Sequence, residues 1–315
     1  MSIIIRSTGK ALPKKCVTNE ELPKELETND EWIVSHTGIR SRYISDKEDT
    51  CASLGASACR KALLAAEVDP KDVSLIICAT ATPDYNGFPS SACVIQTFLG
   101  ATNATCFDVT AACSGFLYAM DTASSLMESH NYKYALIIGS EVLSSICDWT
   151  DRTSCILFGD GAGAVLLERC ESTEAAGKGI GTFVSGSDGT GGSALYVAPD
   201  GLMKMDGHAI YTFAVKIMTQ IISELMEKEN LKPSDVDYFV CHQANERILS
   251  AAAKRLDLDF SKFVITLSEY GNTSSASIPI TLSDMDSKGM LSDGTTIVSA
   301  AFGAGLTWAG TVIRF

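Results

Sequence analysis

Three side chains that lie far apart in the sequence could together perform acyl chemistry: Cys113, His242 and Asn272. A thiolate attacks carbonyl carbon, an imidazole exchanges or shares a proton, and a carboxamide donates hydrogen bonds to a developing oxyanion. Cys113 stands in TAACSGF, between the apolar run TCFDV and a segment with the apolar spacing of a helix. The unpaired N–H groups at a helix N-terminus predict a thiol pKa that is lowered towards the thiolate.

Each of these residues also has a simpler interpretation. Cys113 could be a buried thiol like the other ten of the 11 cysteines. His242, in YFVCHQAN, could be a core histidine with satisfied hydrogen bonds, and Asn272, in EYGNTSS, could serve only a Gly-Asn turn. A shared site is favoured because each residue follows an apolar run and precedes a helix-like segment.

The elements that must position these residues are short apolar strands. The runs without polar alternation are LIIC, TCFDV, YALIIG and AGAVLL in the first half of the chain, and YFVC, FVITL, TIVSAA and TWAGTVI in the second. Such runs are typical of strands covered on both faces, and their alternation with helices predicts an α/β fold with parallel or mixed sheets. The carboxyl ends of these strands converge on one crevice, where the three side chains are predicted to meet.

The chain also contains an internal repeat. Pro70, Asp72, Val73 and Cys78 recur as Pro233, Asp235, Val236 and Cys241, each pair separated by the same number of positions. We therefore predict two duplicated halves, residues 1–172 with the nucleophilic cysteine and residues 173–315 with the histidine and the asparagine. The same separation places Cys113 opposite Ala276, a few residues beyond Asn272.

Composition excludes several classes of protein. The net charge of −13 argues against broad nucleic-acid binding, which needs a clustered excess of lysine and arginine. The start, MSIIIRSTGK, lacks the pattern of a signal peptide, and no apolar run is expected to span a bilayer. The cysteines form no C-x-x-C pair, so a reducing cytoplasm is expected. FGDGAGAVL lacks the G-K-[ST] ending of a phosphate loop, and its glycines are predicted to serve tight turns or close backbone approach.

Together the segments TAACSGF, HQAN, GNTSSASIP, FGDGAG and FGAGLTW resemble the β-ketoacyl-acyl-carrier-protein synthase III family of condensing enzymes. The resemblance extends from NDEWIVSHTGIRSR to WAGTVIRF. It implies a five-layered αβαβα thiolase-like fold, a homodimer, and no cofactor or metal, with a coenzyme A thioester as substrate. Cys113 would accept an acyl group from a short acyl-CoA, and malonyl-carrier protein would then lose CO₂ and condense with it to initiate fatty-acid synthesis.

The resemblance also implies roles for individual residues. His242 and Asn272 would donate hydrogen bonds to the malonyl thioester, and the backbone N–H groups of Cys113 and Ala304 would form a second oxyanion hole. Many members of the family have glycine at the position of Ala304, and many have arginine at the position of His36. The residues that would bind substrate are Trp32, His36, Arg152, Gly207, Asn245 and Phe88, of which Phe88 would reach the partner subunit's acyl pocket. Arg247, Lys254 and Arg255 would share one helix face, either as a docking site for the carrier protein or as an ordinary solvated surface.

Three alternative functions remain open at this stage. A homologous condensing enzyme of secondary metabolism, making a quinolone, a polyketide or a ketone, would use the same three residues. A cysteine hydrolase would release free acid without malonyl, and a binding scaffold would not acylate Cys113.

Overall fold

The computed structural model describes residues 2–171, 175 and 177–315. The predicted boundary between the halves, at residues 172 and 173, lies outside the described residues. The strands are β1 (Ser2–Ala11), β2 (Lys15–Thr18), β3 (Ser41–Ile44), β4 (Val73–Ala79), β5 (Thr105–Val109), β6 (Tyr134–Glu141), β7 (Gly161–Cys170), β8 (Gly179–Ser187), β9 (Leu195–Val197), β10 (Met203–Met205), β11 (Tyr238–Cys241), β12 (Thr296–Gly303) and β13 (Thr307–Arg314). The α-helices are α1 (Asp30–Thr37), α2 (Cys51–Ala66), α3 (Ser91–Leu99), α4 (Gly115–His130), α5 (Arg152–Cys155), α6 (Gly207–Lys228), α7 (Glu246–Arg255), α8 (Leu267–Tyr270) and α9 (Ser277–Ser287).

Two mixed sheets repeat one strand order. The first sheet runs β1-β7-β6-β4-β5 and the second runs β8-β13-β12-β11. β4 is parallel to β5 and β6, as β11 is to β12, whereas the β6–β7 and β12–β13 pairs are antiparallel. A 3₁₀ turn precedes β4 at Pro70–Asp72 and β11 at Pro233–Asp235. The predicted mixed sheets and the predicted duplication are therefore confirmed.

Five layers follow from the way the sheets are covered. Helices α4 and α9 lie between the sheets, where Phe116 and Leu282 share one core with Ile77 and Ile297. Helices α2 and α3 cover the outer face of the first sheet, and α6 and α7 cover the outer face of the second. Strand β4 shows why no polar alternation is seen, since Leu75 and Ile77 face the central core while Ile76 and Cys78 face the outer helices.

Helix α6 is apolar for a packing reason. Over Gly207–Lys228 it is long and apolar enough, by length and composition only, to cross a membrane, contrary to the expectation from the sequence. Its buried residues, however, lie against the second sheet, where Met218, Ile221 and Leu225 belong to the outer core. Core packing therefore accounts for the apolarity of this helix.

One predicted strand is wrong. Of FVITL only Phe263 makes an isolated parallel bridge, to Phe239, before α8 begins at Leu267. The side chain of Gln243 takes the backbone donors that a strand ladder would use, since its Oε1 accepts from the N–H groups of Thr266 (2.9 Å) and Leu267 (3.2 Å). Asn272 consequently follows a short helix rather than a strand.

Two equivalent turns face each other at the centre of the fold. The 3₁₀ turns Ala112–Ser114 and Ser274–Ala276 each begin at a non-glycine residue with positive φ, 45° at Ala112 and 51° at Ser274. By this conformation the counterpart of Cys113 is Ser275, and the predicted pairing with Ala276 is wrong by one residue. The same shift is seen at the starts of β6 and β12, positions 134 and 296, which are one residue closer together than Pro70 and Pro233.

The glycines of FGDGAG allow backbone segments to touch, as predicted. A Cβ at Gly163 would lie 2.5 Å from the backbone nitrogen of Ile280, and one at Gly159 would lie 2.4 Å from the carbonyl oxygen of Tyr270. Strand β7 therefore packs directly against α9, and the turn before β7 packs against the segment that leads to Asn272.

Candidate active site

A cavity of about 520 Å³ contains the three residues that were predicted to meet. Cys113, His242 and Asn272 all line it, and they come from the turn before α4, the end of β11 and the turn after α8. All three are buried, so the cavity brings them together away from the outer surface. The prediction that they share one crevice is confirmed.

Cys113 lies at the N-terminal end of α4, within a turn that contacts the second sheet. Its side chain is 9% exposed, and a Cβ at Gly303 would lie 2.7 Å from the Cys113 nitrogen. Burial raises the pKa of the Cys113 thiol to about 12, although hydrogen bonds from the Ser274 side chain and from its own backbone N–H act in the opposite direction. The predicted lowering of this pKa is thus wrong, because desolvation of the thiolate outweighs the helix terminus.

His242 is held by both its backbone and its ring. The backbone N–H of His242 donates to the carbonyl of Ala300 (2.9 Å), and the ring Nδ1 lies 2.8 Å from the Ser277 Oγ. The ring meets Phe302 edge-on, with centroids 5.4 Å apart. Burial lowers the pKa of His242 to about 3, so the imidazole is neutral at physiological pH and can donate from one nitrogen only.

Asn272 has its amide orientation set by its neighbours. The side-chain Oδ1 accepts from the backbone N–H of Ser274 (2.9 Å). The backbone N–H of Asn272 donates to the carbonyl of Leu157 (2.8 Å), and its backbone carbonyl accepts from the N–H of Gly159 (3.0 Å). Because Oδ1 is occupied, the side chain presents its NH₂ group as the donor for a molecule in the cavity. The Gly-Asn turn is therefore present, and it serves to orient the amide.

Residues at the cavity mouth match the predicted binding set in part. The rings of Trp32 and His36 are stacked with centroids 4.2 Å apart, and the Arg152 guanidinium lies 5.5 Å from the Trp32 ring centre. These three residues line the cavity together with Gly207 and Asn245. The Asn245 amide is already engaged, since it caps α7 through the N–H of Arg247 and donates to the carbonyl of His36 (3.1 Å).

Five predicted residues do not line this cavity. Phe88 is 90% exposed on the loop before α3, and Ala304 is adjacent to the lining residue Gly303 without lining the cavity itself. Arg247 and Lys254 line a second cavity of about 490 Å³, the side groove, which shares Tyr211 with the main cavity. Arg255 is exposed but does not line the side groove, so the predicted common face holds for Arg247 and Lys254 only.

Sequence reasoning missed the residues that surround the three. Ser277 contacts the His242 ring, the N–H of Ser274 donates to the Asn272 Oδ1, and Glu141 lies fully buried at the end of β6. A signal for Glu141 was present, because an acidic residue directly follows the apolar run YALIIG. The serines gave no comparable signal within the polar segment NTSSAS.

The buried neutral His242 has a consequence for stability. Its folded pKa lies below the unfolded value of 6.5, so between those values the unfolded chain binds a proton that the folded chain does not. We expect the stability that His242 confers to be complete above pH 6.5 and to fall by about 2 kcal/mol on going to pH 5. Denaturant unfolding at pH 7 and pH 5 would measure this loss. His242→Asn should lose less stability over this interval, and equal losses would contradict the assignment.

The fold and this cavity define the class: a thiolase-like protein with a thiol, an imidazole and a carboxamide in one central site. The family model described as 3-oxoacyl-[acyl-carrier-protein] synthase III matches residues 107–189, and the model of its C-terminal part matches residues 226–315.

Similar proteins agree with this class. A beta-ketoacyl-[acyl-carrier-protein] synthase III of Caldanaerobacter subterraneus subsp. tengcongensis is 44% identical, over 99% of this chain and 97% of its own length. The crystal structure of 3-oxoacyl-[acyl-carrier-protein] synthase III from Aquifex aeolicus VF5 has a TM-score of 0.95 and 40% identity, covering 99% and 100% of the two chains. The priming beta-ketosynthase of the R1128 polyketide pathway has a TM-score of 0.92 and 32% identity, covering 100% and 96%. The chain belongs to the 3-oxoacyl-[acyl-carrier-protein] synthase III family of condensing acyltransferases.

Proposed function

We propose that this chain condenses a short acyl-CoA with malonyl-acyl-carrier protein, by decarboxylative Claisen chemistry through an acyl-Cys113 intermediate. The observation that carries the proposal is the single buried cavity that holds Cys113, His242 and Asn272 at its inner end and Trp32 and Arg152 at its mouth. The synthases named among the relatives favour this initiating role over a role in secondary metabolism.

In the first half-reaction Cys113 becomes acylated. The sulfur loses its proton and attacks the thioester carbonyl of acyl-CoA, and the coenzyme A thiolate leaves and is protonated. The N–H of Cys113 and that of Ala304 would stabilise the oxyanion. Support comes from the close approach of Gly303 to the Cys113 nitrogen, which leaves no room for a Cβ at Gly303 and brings the start of FGAG beside Cys113.

In the second half-reaction malonyl-carrier protein loses CO₂. The neutral His242 and the NH₂ group of Asn272 donate to the thioester oxygen, where negative charge develops as the carboxylate leaves. The enolate then attacks the acyl-Cys113 carbonyl, the β-ketoacyl product forms, and the sulfur leaves as thiolate. A positively charged His242 is unnecessary for this step, which agrees with the low pKa caused by its burial.

The mouth would hold the nucleotide of coenzyme A. Trp32 and Arg152 offer an aromatic face and a cation, and in this chain His36 stacks on Trp32. Gly207 and Asn245 would line the pantetheine path between the mouth and Cys113. No cofactor or metal takes part in the proposed reaction.

We further propose a cytoplasmic homodimer. The edge strand β5 and the adjacent loop with the exposed rings of Tyr85 and Phe88 support a subunit interface on this side of the first sheet. Phe88 would then reach the partner subunit's acyl pocket. Buried free thiols such as Cys51, Cys78 and Cys113 suit a reducing compartment.

Mass spectrometry of the intact protein tests the function. After incubation with a panel of acyl-CoA donors, a mass increase at Cys113 identifies the starter group, and added malonyl-carrier protein should remove it as a carrier-bound β-ketoacyl product. Steady release of free acid without malonyl would indicate a hydrolase instead. No acylation by any donor would indicate a binding scaffold, and acylation without use of malonyl-carrier protein would favour a secondary-metabolism enzyme.

The side groove provides a test of carrier docking. Arg247→Glu with Lys254→Glu should raise the KM for malonyl-carrier protein about tenfold at low salt, because two cations that would meet the acidic carrier are reversed. Acylation by acyl-CoA should change less than about twofold, since neither residue lines the main cavity. The matched control is Lys47→Glu with Lys71→Glu, the same change in net charge on two exposed residues before β4. Steady-state kinetics measure both substrates, and an unchanged carrier KM would leave Arg247 and Lys254 as ordinary solvated residues.

A further inference from the structure

Ser277 is a buried serine that lies against the ring of His242. It is the first residue of α9, and its Oγ lies 2.8 Å from the ring Nδ1 of His242, which is also buried. At this distance the two atoms share a hydrogen bond, in which either can be the donor. A neutral imidazole carries one proton, on Nδ1 or on Nε2, so the direction of this bond decides which nitrogen carries it.

The backbone of Gln243 also contacts the serine oxygen. The N–H of Gln243 donates to the Ser277 Oγ (3.4 Å). The side chain of Gln243 holds this segment in place, since its Nε2 donates to the carbonyls of Cys241 (2.8 Å) and Val264 (3.0 Å). The Ser277 oxygen therefore already accepts one hydrogen bond from the backbone, and its own proton needs an acceptor.

One direction of the Ser277–His242 bond satisfies every group, and the other does not. If Ser277 donates to Nδ1, then the Gln243 N–H, the hydroxyl proton and the Nδ1 lone pair all have partners. If Nδ1 donates instead, the hydroxyl proton stays buried without a partner, because within the described residues the Ser277 Oγ contacts no acceptor other than this nitrogen. A buried donor without a partner is costly, so donation by Ser277 is favoured.

We infer that Ser277 is a positioning residue for the decarboxylation step, because its hydroxyl donates to Nδ1 and keeps the His242 proton on Nε2. Nε2 hydrogen-bonds to none of the described residues, and His242 lines the main cavity, so its N–H can bind a molecule there. This role rests on the proposed function, in which this N–H and the Asn272 NH₂ group bind the malonyl thioester oxygen. Burial lowers the pKa of His242 to about 3, so the ring keeps a single proton, and Ser277 decides its place.

Solid-state ¹⁵N NMR of the protein, labelled at the histidine ring nitrogens, tests the inference without any substrate. The chain has 4 histidines, and the signals missing from His242→Asn identify those of His242. At neutral pH we expect a protonated Nε2 and an unprotonated Nδ1, whose signal is shifted towards the protonated position by the Ser277 hydrogen bond. A protonated Nδ1 would overturn the inference.

Ser277→Ala removes the hydroxyl that is proposed to donate. The Nδ1 signal should lose its shift, and decarboxylation of malonyl-carrier protein should fall about tenfold, because the ring is no longer held with its proton on Nε2. Acylation of Cys113 should change less than about twofold, since the proposed oxyanion hole for that step consists of backbone N–H groups. The inference would be overturned by an Nδ1 signal identical to that of the wild type, by unchanged decarboxylation, or by an equal fall in both activities.

Ser299→Ala is the matched control. Ser299 is fully buried on β12, and its hydroxyl donates to the carbonyl of Val240 (2.8 Å) on the strand that leads to His242. This variant also loses a buried hydroxyl, but the Nδ1 signal should stay in place and decarboxylation should change less than about twofold.

Thermal unfolding verifies that both variants are folded, and the wild-type spectrum decides the direction of the bond even if Ser277→Ala does not fold. A protonated Nε2, together with no acylation by any acyl-CoA, would reject the proposed function and leave the tautomer of His242 established. A protonated Nδ1 in a protein that condenses both substrates would reject the inference alone.

Discussion

Cys113→Ser is expected to leave no detectable acyl-enzyme with any acyl-CoA donor, a loss of at least about 10³-fold in acylation rate. A buried serine hydroxyl is far less acidic than a thiol, so almost none of it would ionise to attack the thioester. Decarboxylation of malonyl-carrier protein should persist, because His242 and Asn272 keep their positions at the other side of the cavity. Intact-protein mass spectrometry measures the first activity, and release of CO₂ measures the second.

The comparison between these two activities makes the test specific. Cys241→Ser changes another fully buried thiol, next to His242 but outside the cavity lining, and should preserve acylation of Cys113. An acylated Cys113→Ser protein would show that the acyl group resides on another residue. Loss of both activities in Cys113→Ser, with normal thermal unfolding, would mean that decarboxylation also needs the sulfur.

His242→Ala is expected to reduce decarboxylation of malonyl-carrier protein by about 10²- to 10³-fold, because one of two donors to the developing oxyanion is removed. Acylation of Cys113 should fall by less than about tenfold, since the proposed oxyanion hole for that step consists of backbone N–H groups. Rapid-quench measurement of acyl-Cys113 formation and assay of CO₂ release separate the two steps.

Asn272→Ala provides the comparison for this variant. The Asn272 amide is the partner donor, so its loss should follow the same pattern, with decarboxylation reduced far more than acylation. An equal loss of both activities in His242→Ala would contradict this assignment and would give His242 a part in the acylation of Cys113.

The rule that the carboxyl ends of parallel strands converge on one crevice was sufficient to predict that Cys113 and His242 lie together. It holds because the apolar runs before these residues are strands with parallel neighbours. The same reasoning placed Asn272 correctly for a partly wrong reason, since the run before it is held by the side chain of Gln243 and is not a strand. Side-chain hydrogen bonds between segments distant in sequence leave no periodic pattern, so they could not be predicted.

The electrostatics of the site were also beyond pattern reasoning. The helix terminus suggested a lowered pKa for the Cys113 thiol, but its burial decides that the pKa is raised. How deeply a side chain is buried depends on the whole fold. Glu141 illustrates the same limit, since its neighbours come from β4 and from the Ser274–Ala276 turn. Arg255 shows the reverse case, where a resemblance suggested a residue that does not line the side groove with Arg247 and Lys254.

The two equivalent turns, Ala112–Ser114 and Ser274–Ala276, contribute different groups to the site. The turn of the first half carries Cys113, the proposed nucleophile. The equivalent turn of the second half carries Ser275, whose carbonyl oxygen would touch a Cβ at Gly139 and whose hydroxyl donates to Glu141. The two equivalent turns have thus become complementary. One carries the proposed nucleophile, and the other supplies packing and hydrogen bonds around it. Neither half, expressed alone, would contain a working centre, although each possesses a complete sheet of its own.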